Sequence, residues 1–226
     1  MKQGGSDAAK RAAGESAAEA VEDGMVVGLG TGSTTAHAIR AIGRRVDAGL
    51  DIVGVPTSFQ SRELAREVGI PLTELDDASV DLAIDGADEV AGADLIKGGG
   101  AAHAREKIVD ASADRFLVVA DPTKTAETLS HPVPVEVLPA ARTTVAASVR
   151  QTGGEPTLRQ AERKDGPVVT DNGNLVLDCD FGDIDDPAAL GQTLASLPGV
   201  VEHGLFVGLA DEVHVGSEDG VTVREL

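Results

Sequence analysis

Short apolar runs alternate with helix-like segments through the first 120 residues of this chain. The apolar runs have the length and composition of buried strands, and they lie at residues 25–29, 51–55, 80–84 and 116–120. Helical patterns occupy residues 7–22, 35–45, 58–68 and 102–111, the third of them between an N-cap at Ser58 and a stop at Gly69. Strands that alternate with helices favour a parallel sheet covered on both faces. The sequence therefore predicts an α/β fold that contains a Rossmann-like domain.

The order of the predicted elements changes at about residue 130. We predict a strand at 133–137, a helix at 140–151, a strand at 156–160, a hairpin at 167–178 around Asn172 and Gly173, a helix opened by Pro187, and a strand at 199–207. This order is typical of a ferredoxin-like α+β domain. Two last strands, at 211–215 and 221–224, are expected to return to the first sheet. The prediction is a Rossmann-like domain of residues 1–129 and 208–226, with a smaller ferredoxin-like domain of residues 130–207, expected to oligomerise, inserted before the C-terminal strands.

A loop of small residues, GTGST at 30–34, joins the first strand to the helix that follows it. Such a loop presents backbone N–H groups and the positive end of a helix dipole, so we expect it to hold a phosphate. It is not a P-loop, because no lysine precedes its hydroxyl residues, and it is a poor dinucleotide fingerprint, because Ser33 stands at the third glycine position. The alternative is a turn that only caps the helix.

Acids, a cation and glycines are concentrated between residues 80 and 107. Asp85 and Asp88 follow a buried strand, and ligands of open α/β sheets bind at the carboxyl ends of strands. Lys97 precedes three glycines, and Glu106 lies shortly after them. In the alternative interpretation, these are a charged turn, a flexible loop and a surface helix charge between two basic residues. The two aspartates could also bind Mg²⁺, but no third carboxylate or histidine stands at ligand spacing, so we expect no metal.

The charge balance limits the classes of partner. The chain has 38 acidic and 19 basic residues, a net charge of −19, which argues against nucleic-acid binding. No apolar run is long enough to span a membrane and the first residues lack an apolar leader, so we expect a cytoplasmic protein without membrane contact. Six lysines against 13 arginines, with no Trp or Tyr, resemble the composition of proteins from salt-loving organisms. The single cysteine, Cys179, lies between two aspartates that would raise its pKa, so we expect a structural role.

Several boxes of the sequence together resemble one known family. In order they are GLGTGST, DGADE, IKGGGAAHAREK, VVADPTK, PVPVEVLP, VVTDNGN and LPGVVEHGLF, and they are similar to the boxes of the type A ribose-5-phosphate isomerases from about residue 8 to residue 220. PTSFQS at residues 56–61 departs from the serine-rich form common in bacterial members and is more similar to archaeal ones. The resemblance implies that ribose 5-phosphate and ribulose 5-phosphate are interconverted through a cis-enediolate, without cofactor or metal, by a homodimer or homotetramer.

The resemblance also implies roles for individual residues. Glu106 matches the base that moves the proton between two carbons, and Lys97 matches the lysine that stabilises the enediolate. Asp85 and Asp88 match acids that hold sugar hydroxyls and assist ring opening. The full set of implied substrate-binding residues is Thr31, Gly32, Ser33, Thr34, Asp85, Gly86, Ala87, Asp88, Lys97, Gly98, Gly99, Gly100 and Lys124. His103 lies nearby in the sequence and is expected to be a bystander.

Two other functions are weighed against the isomerase. Some bacterial regulators carry an isomerase-like domain that senses a sugar phosphate without chemistry, and these add an N-terminal helix-turn-helix. Only about two dozen residues precede the first predicted strand here, and a sensor does not need Glu106, Lys97 and both aspartates together. A dinucleotide-dependent enzyme is disfavoured by Ser33.

Overall fold

A computed structural model describes residues 5–226, which form two compact units. The first unit contains the chain up to Ala87, Arg105–Thr125 and Leu209–Leu226, and the second contains Asp88–Ala104 and Ala126–Gly208. Residues 1–4, which open the predicted Rossmann-like domain, lie outside the described residues.

The described chain contains helices and strands in mixed order. They are α1 (Asp7–Ala18), β1 (Val26–Leu29), α2 (Ser33–Asp47), β2 (Val53–Pro56), α3 (Phe59–Glu67), β3 (Leu82–Gly86), β4 (Glu89–Ala91), β5 (Asp94–Ile96), α4 (His103–Ser112), β6 (Arg115–Ala120), β7 (Val133–Val137), α5 (Arg142–Gln151), β8 (Glu155–Leu158), β9 (Leu175–Asp180), α6 (Pro187–Ala195), β10 (Val200–His203), β11 (Leu205–Phe206), β12 (Glu212–Ser217) and β13 (Gly220–Glu225). Short 3-10 turns also form at Pro122–Lys124 and Pro139–Ala141.

The first unit is built on a six-stranded sheet with the order β13-β12-β6-β3-β1-β2. All neighbours are parallel except β12 and β13, which form an antiparallel pair at one edge. The predicted parallel sheet is therefore confirmed, and so is the return of the last two strands to it. Its apolar strand residues pack with α1 and α2 in one core that includes Leu29, Ile39, Ile42, Leu82 and Ile84.

Helix α1 packs closely because its residues are small. A Cβ added to Gly14 would lie only 2.8 Å from the backbone nitrogen of Ala38 in α2. Helix α3 begins as predicted at the N-cap Ser58, whose hydroxyl accepts a hydrogen bond from the N–H of Ser61 at 3.1 Å. It ends before Gly69, which has a φ of +77° that favours glycine.

The second unit contains a four-stranded antiparallel sheet with the order β10-β7-β9-β8. Its elements follow the order β7-α5-β8-β9-α6-β10, so the predicted ferredoxin-like α+β domain is confirmed. Pro187 opens α6 as predicted. The core of this unit is aliphatic and includes Val133, Val135, Val137, Leu177 and Leu194.

A third sheet, with the order β11-β5-β4, was not predicted. The predicted strand at 199–207 is wrong as one element, because it divides at Gly204 into β10 and β11, which belong to different sheets. A Cβ at Gly204 would overlap the carbonyl oxygen of Lys97, and the Gly204 N–H donates to the carbonyl of Pro134 at 2.7 Å. The close approach of two backbones therefore breaks the strand and requires glycine.

The predicted hairpin at 167–178 is only partly formed. Its turn is present, with Gly173 at a φ of +85° and its N–H donating to the carbonyl of Thr170 at 2.9 Å. The first arm makes only isolated bridges, so the regular strand in this region is β9 alone.

The compact units differ from the predicted domain limits at residues 88–104, and also at 126–129 and 208, all of which group with the second unit. Strand β5 pairs with β11, and the Glu89 carboxylate accepts hydrogen bonds from the N–H groups of Ser130 and His131 at 2.6 and 2.7 Å. These contacts bind β4 and β5 to residues of the second unit. An oligomerising role for that unit stays a prediction.

Cys179 lies on β9 and is fully buried. Burial, with a smaller contribution from the charge of Asp178, raises the pKa of the thiol to about 12, as expected for a structural cysteine. Within residues 5–226, no helix combines the length and the apolar character that crossing a membrane would require.

Candidate active site

Four parallel strands of the first unit, β6, β3, β1 and β2, end at the same edge of the sheet. The residues at or just beyond these carboxyl ends are 30–34, 57–58, 85–87 and 121–124. Ligands of open α/β sheets bind at this edge. Three of the four segments were predicted from the sequence, and the fourth, Thr57 and Ser58, was not.

The loop after β1 leaves a helix N-terminus open to a ligand. Gly32 is the N-cap of α2, has a φ of +122° and provides no side chain to cap the helix. Ser33 is exposed and Thr34 is half-buried, so their hydroxyl groups stand beside uncapped N–H groups. The interpretation that this loop only caps the helix is therefore not supported, and the geometry suits a phosphate.

Thr31 takes part in a hydroxyl network that the sequence did not predict. Its Oγ1 donates to the hydroxyl of Ser58 at 2.7 Å and lies 2.9 Å from the hydroxyl of Thr57. The Thr57 hydroxyl donates to the carbonyl of Leu29 at 3.2 Å. Because Thr57 and Ser58 follow β2, the neighbour of β1, strand order would have indicated them. The network fixes the side chain of Thr31.

Asp85 lies inside β3 and is completely buried. Its Oδ1 accepts hydrogen bonds from the N–H groups of Thr31 at 2.9 Å and Gly86 at 2.6 Å. A Cβ at Gly30 would overlap this carboxylate. Asp85 therefore orients the loop at residues 30–34, a structural role in addition to the substrate role that the family resemblance implies.

Glu106 lies in the first turn of α4 and is 4% exposed. The alternative that it is a surface helix charge is wrong, because its helix face is turned inward. On that face Val109 packs against β1, where a Cβ at Gly28 would lie 2.8 Å from Val109 Cγ1. Asp110, one turn further along, is also buried and was not predicted as a site residue. A buried carboxylate on a rigid helix suits proton transfer.

The segment after β6 forms the short turn Pro122–Lys124. Asp121 caps it by accepting from the N–H of Thr123 at 2.9 Å, and the N–H of Lys124 donates to the Asp121 carbonyl at 3.0 Å. Burial tends to raise the pKa of Asp121, but hydrogen bonds from Thr123 and Gly5 and the charge of Lys124 hold that pKa below its ordinary value. The Lys124 side chain is half-buried.

In the second unit, the three glycines after Lys97 form a fixed turn. Gly98 has a φ of +108°, and its carbonyl accepts from the N–H of Ala101 at 2.9 Å. The Gly99 N–H donates to Asp88 Oδ2 at 2.6 Å. The interpretation of this segment as a flexible loop is therefore wrong. We call residues 98–101 the glycine turn.

Lys97 is 2% exposed, although it carries an ammonium group. Its Nζ lies 5.3 Å from the ring centroid of Phe206, within the range of a cation–π interaction. The backbone N–H of Lys97 donates to the Gly204 carbonyl at 2.8 Å. Lysine is seldom buried this deeply without a function or a partner.

His103 is fully buried, and its Nε2 lies 3.4 Å from the carbonyl oxygen of Glu202. Its expected role as a bystander stays a prediction. In the part of the chain that the structure describes, no group of three His, Cys, Asp or Glu residues is arranged to hold a metal ion.

Comparison with known proteins gives consistent results. The model of the family ribose 5-phosphate isomerase A (phosphoriboisomerase A) matches residues 53–220. The chain is 81% identical over 226 residues to the ribose-5-phosphate isomerase A of Haloarcula marismortui, covering 100% of this chain and 99% of that protein. It is 71% identical over 225 residues to that of Natronomonas pharaonis, covering 99% of this chain and 100% of that protein. Both are halophilic archaea, which confirms the archaeal and halophilic affinity predicted from the sequence.

Solved structures agree with the fold. The ribose 5-phosphate isomerase A of Methanocaldococcus jannaschii superposes with a TM-score of 0.92 at 45% identity, covering 96% of this chain and 98% of that one. A D-ribose-5-phosphate isomerase in complex with phospho-erythronic acid superposes with a TM-score of 0.94 at 44% identity, covering 96% and 97%. The extent and level of these similarities identify the chain as a member of the ribose 5-phosphate isomerase A family.

Proposed function

We propose that this protein is an aldose-ketose isomerase that interconverts D-ribose 5-phosphate and D-ribulose 5-phosphate. The observation that carries the proposal is the burial of Glu106 on a rigid helix, in a chain that belongs to the isomerase family over its whole length. The relatives named above are isomerases, which supports the enzyme and not the sensor. The bound phospho-erythronic acid of one solved relative supports a sugar phosphate as the ligand.

The chemistry moves a proton between adjacent carbons. After the sugar ring opens, Glu106 removes the proton from C2 of the aldose, and the resulting cis-enediolate takes that proton back at C1. In the same sequence the hydroxyl on O2 gives up its proton and O1 gains one, so the carbonyl group moves from C1 to C2 without an external oxidant. A carboxylate suits this task because one group can serve as base and then as acid.

The enediolate carries negative charge on oxygen, so it needs cations and N–H donors nearby. Lys97 supplies the cation, and the glycine turn supplies backbone N–H groups. Asp85 and Asp88 bind sugar hydroxyls and assist ring opening. Each also holds backbone N–H groups in place, as the geometry above describes. Gly86 and Ala87, between the two acids, complete the contacts to the sugar.

The phosphate binds at the N-terminus of α2. Uncapped N–H groups, the helix dipole and the hydroxyl groups of Ser33 and Thr34 favour an anion there. Thr31 supports the loop through its hydroxyl network, and Lys124 adds a positive charge to the set of substrate contacts.

The proposal includes a homodimer or homotetramer and a cytoplasmic location. The family resemblance implies the assembly, and Leu138, Val169 and Val201 of the second unit, each 43–49% exposed, are our candidates for the contact between copies. Analytical ultracentrifugation at several protein concentrations tests the assembly, and a monomer at all of them would contradict it.

The decisive experiment compares wild-type protein with Glu106→Gln, using ribose 5-phosphate in EDTA and no added nucleotide. We expect the wild type to form ketose, and the variant to lose about 10²–10⁴-fold in kcat while KM changes little, because the amide keeps the shape but cannot accept a proton. Glu63→Gln, at an exposed ion pair of α3, is the matched control and should keep full activity. If Glu106→Gln kept more than about a tenth of kcat, a loss under ~1.4 kcal/mol, the base would lie elsewhere.

A further inference from the structure

Arg159 lies just after β8 and connects that strand to the glycine turn. Its Nη1 donates to the carbonyl oxygen of Gly98 at 2.7 Å and lies 3.2 Å from that of Gly99. Its Nε donates to Asp178 Oδ2 on β9 at 2.9 Å, and its Nη2 donates to the other oxygen of the same carboxylate. The guanidinium thus forms a bidentate ion pair with Asp178 and also binds two successive carbonyl groups.

Arg159 and Asp88 hold the two ends of one peptide group. The carbonyl of Gly98 accepts from Arg159, and the N–H of Gly99, in the same peptide group, donates to Asp88. With both ends bound, this peptide group cannot rotate without breaking a charge-assisted hydrogen bond. Glycine alone would leave the segment free to rotate, so these two charged side chains order it together with the Ala101 N–H, which also donates to the Gly98 carbonyl.

The next peptide group is oriented by the same contact. The Gly99 carbonyl points towards Arg159, and in a trans peptide group the N–H of Gly100 points the opposite way. Gly100 is exposed, and its N–H finds no protein acceptor among residues 5–226. The contact with Arg159 therefore leaves a backbone donor in a fixed direction for a ligand.

We infer that Arg159 is a positioning residue for the isomerisation, acting through the glycine turn and not through contact with the substrate. The inference rests on the proposed function, in which the glycine turn donates to the enediolate. The guanidinium of Arg159 is required because it is planar and has several N–H donors. It can bind a carboxylate with two nitrogens and still donate to the carbonyl groups. Asp178 fixes the fork and is the second positioning residue.

The test uses Arg159→Lys, Arg159→Ala and Asp178→Asn. We expect kcat to fall about 10- to 100-fold in Arg159→Ala, somewhat less than the loss of a whole oxyanion donor, while KM changes less than about threefold. Lysine should rescue poorly, because one ammonium cannot make both sets of contacts. Arg150→Ala is the matched control, since Arg150 forms an exposed ion pair with Glu155 in the same unit and is not bonded to the glycine turn.

Chemical rescue separates positioning from simple stability. Low millimolar guanidinium should restore part of kcat in Arg159→Ala and have no effect on Arg150→Ala, with equal urea as a control for denaturation. Unchanged kcat in the Arg159 variants, or a loss that follows the folded fraction and is not rescued, would overturn the inference while leaving the proposed function intact. An inactive wild-type protein would overturn both.

Discussion

Two substitutions of Asp85 can separate its structural role from its chemical role. Its Oδ1 accepts hydrogen bonds from the N–H groups of Thr31 and Gly86, and the residue is fully buried. Asp85→Ala removes the acceptor, whereas Asp85→Asn keeps an oxygen that can occupy the same place. The two variants therefore differ in stability but share the loss of the carboxylate.

The expected magnitudes follow from the two hydrogen bonds. A donor left unsatisfied costs about 1–3 kcal/mol, and because Thr31 and Gly86 are only partly buried, the lower half of that range applies. With about 1–2 kcal/mol for each of the two donors, Asp85→Ala should therefore lower the free energy of unfolding by about 2–4 kcal/mol. Asp85→Asn loses only the charge assistance of the bonds, about 1 kcal/mol in total. Both should lose most of their activity if the carboxylate assists ring opening.

Urea unfolding and initial-rate kinetics measure the two effects. Asp81, which precedes β3, is a matched control, because it is exposed and its carboxylate accepts the N–H of Val26 at 2.7 Å. Water can replace that acceptor, so Asp81→Ala should cost under about 1 kcal/mol and keep activity. The reasoning is refuted if Asp85→Ala and Asp85→Asn agree in stability within about 0.5 kcal/mol, since the error of such measurements is about that size.

Two further predictions concern the phosphate and the pH dependence of stability. Ser33→Ala and Thr34→Ala should raise KM for ribose 5-phosphate much more than for unphosphorylated ribose, and equal effects on the two sugars would contradict a phosphate at α2. Burial lowers the pKa of His214, and its contact with Glu212 only partly offsets this, so the neutral ring favours the folded state. The stability that His214 contributes is present above its ordinary pKa of 6.5 and is lost as pH falls through the lower folded value. The difference in the free energy of unfolding between wild type and His214→Gln, measured with urea, should therefore shrink as pH falls. A difference that stays constant with pH would contradict this role of His214.

Most of the sheet in the first unit could be predicted because its strands are buried on both faces. Such strands appear in the sequence as short continuous apolar runs. The same signal predicted a strand at 133–137 in the second unit, and these limits agree with β7, whose residues are all buried. Ser58 was predicted because capping depends on a partner only three residues away. Local signals of this kind do not require knowledge of the fold.

The third sheet could not be predicted for the opposite reason. Strands β4, β5 and β11 have three, three and two residues, too few to show a period. Their pairing joins Leu205 to Ile96, more than a hundred residues apart. The roles of Arg159 and Thr57 were missed on the same grounds, because their partners are distant in sequence and are brought near only by the fold.

In each unit an aspartate carboxylate lies close against the backbone of a glycine in a neighbouring loop. In the first unit, Asp85 accepts the N–H of Thr31, and a Cβ on the adjacent Gly30 would overlap its carboxylate. In the second unit, Asp88 accepts the N–H of Gly99, and a Cβ on Gly99 would overlap its carboxylate in the same way. Neither glycine has a positive φ, so close approach, not backbone freedom, requires it. Each acid can therefore orient a loop in the absence of substrate because the loop has no side chain at that position. An aspartate that holds a turn and an aspartate that binds substrate are thus compatible interpretations of the same residue.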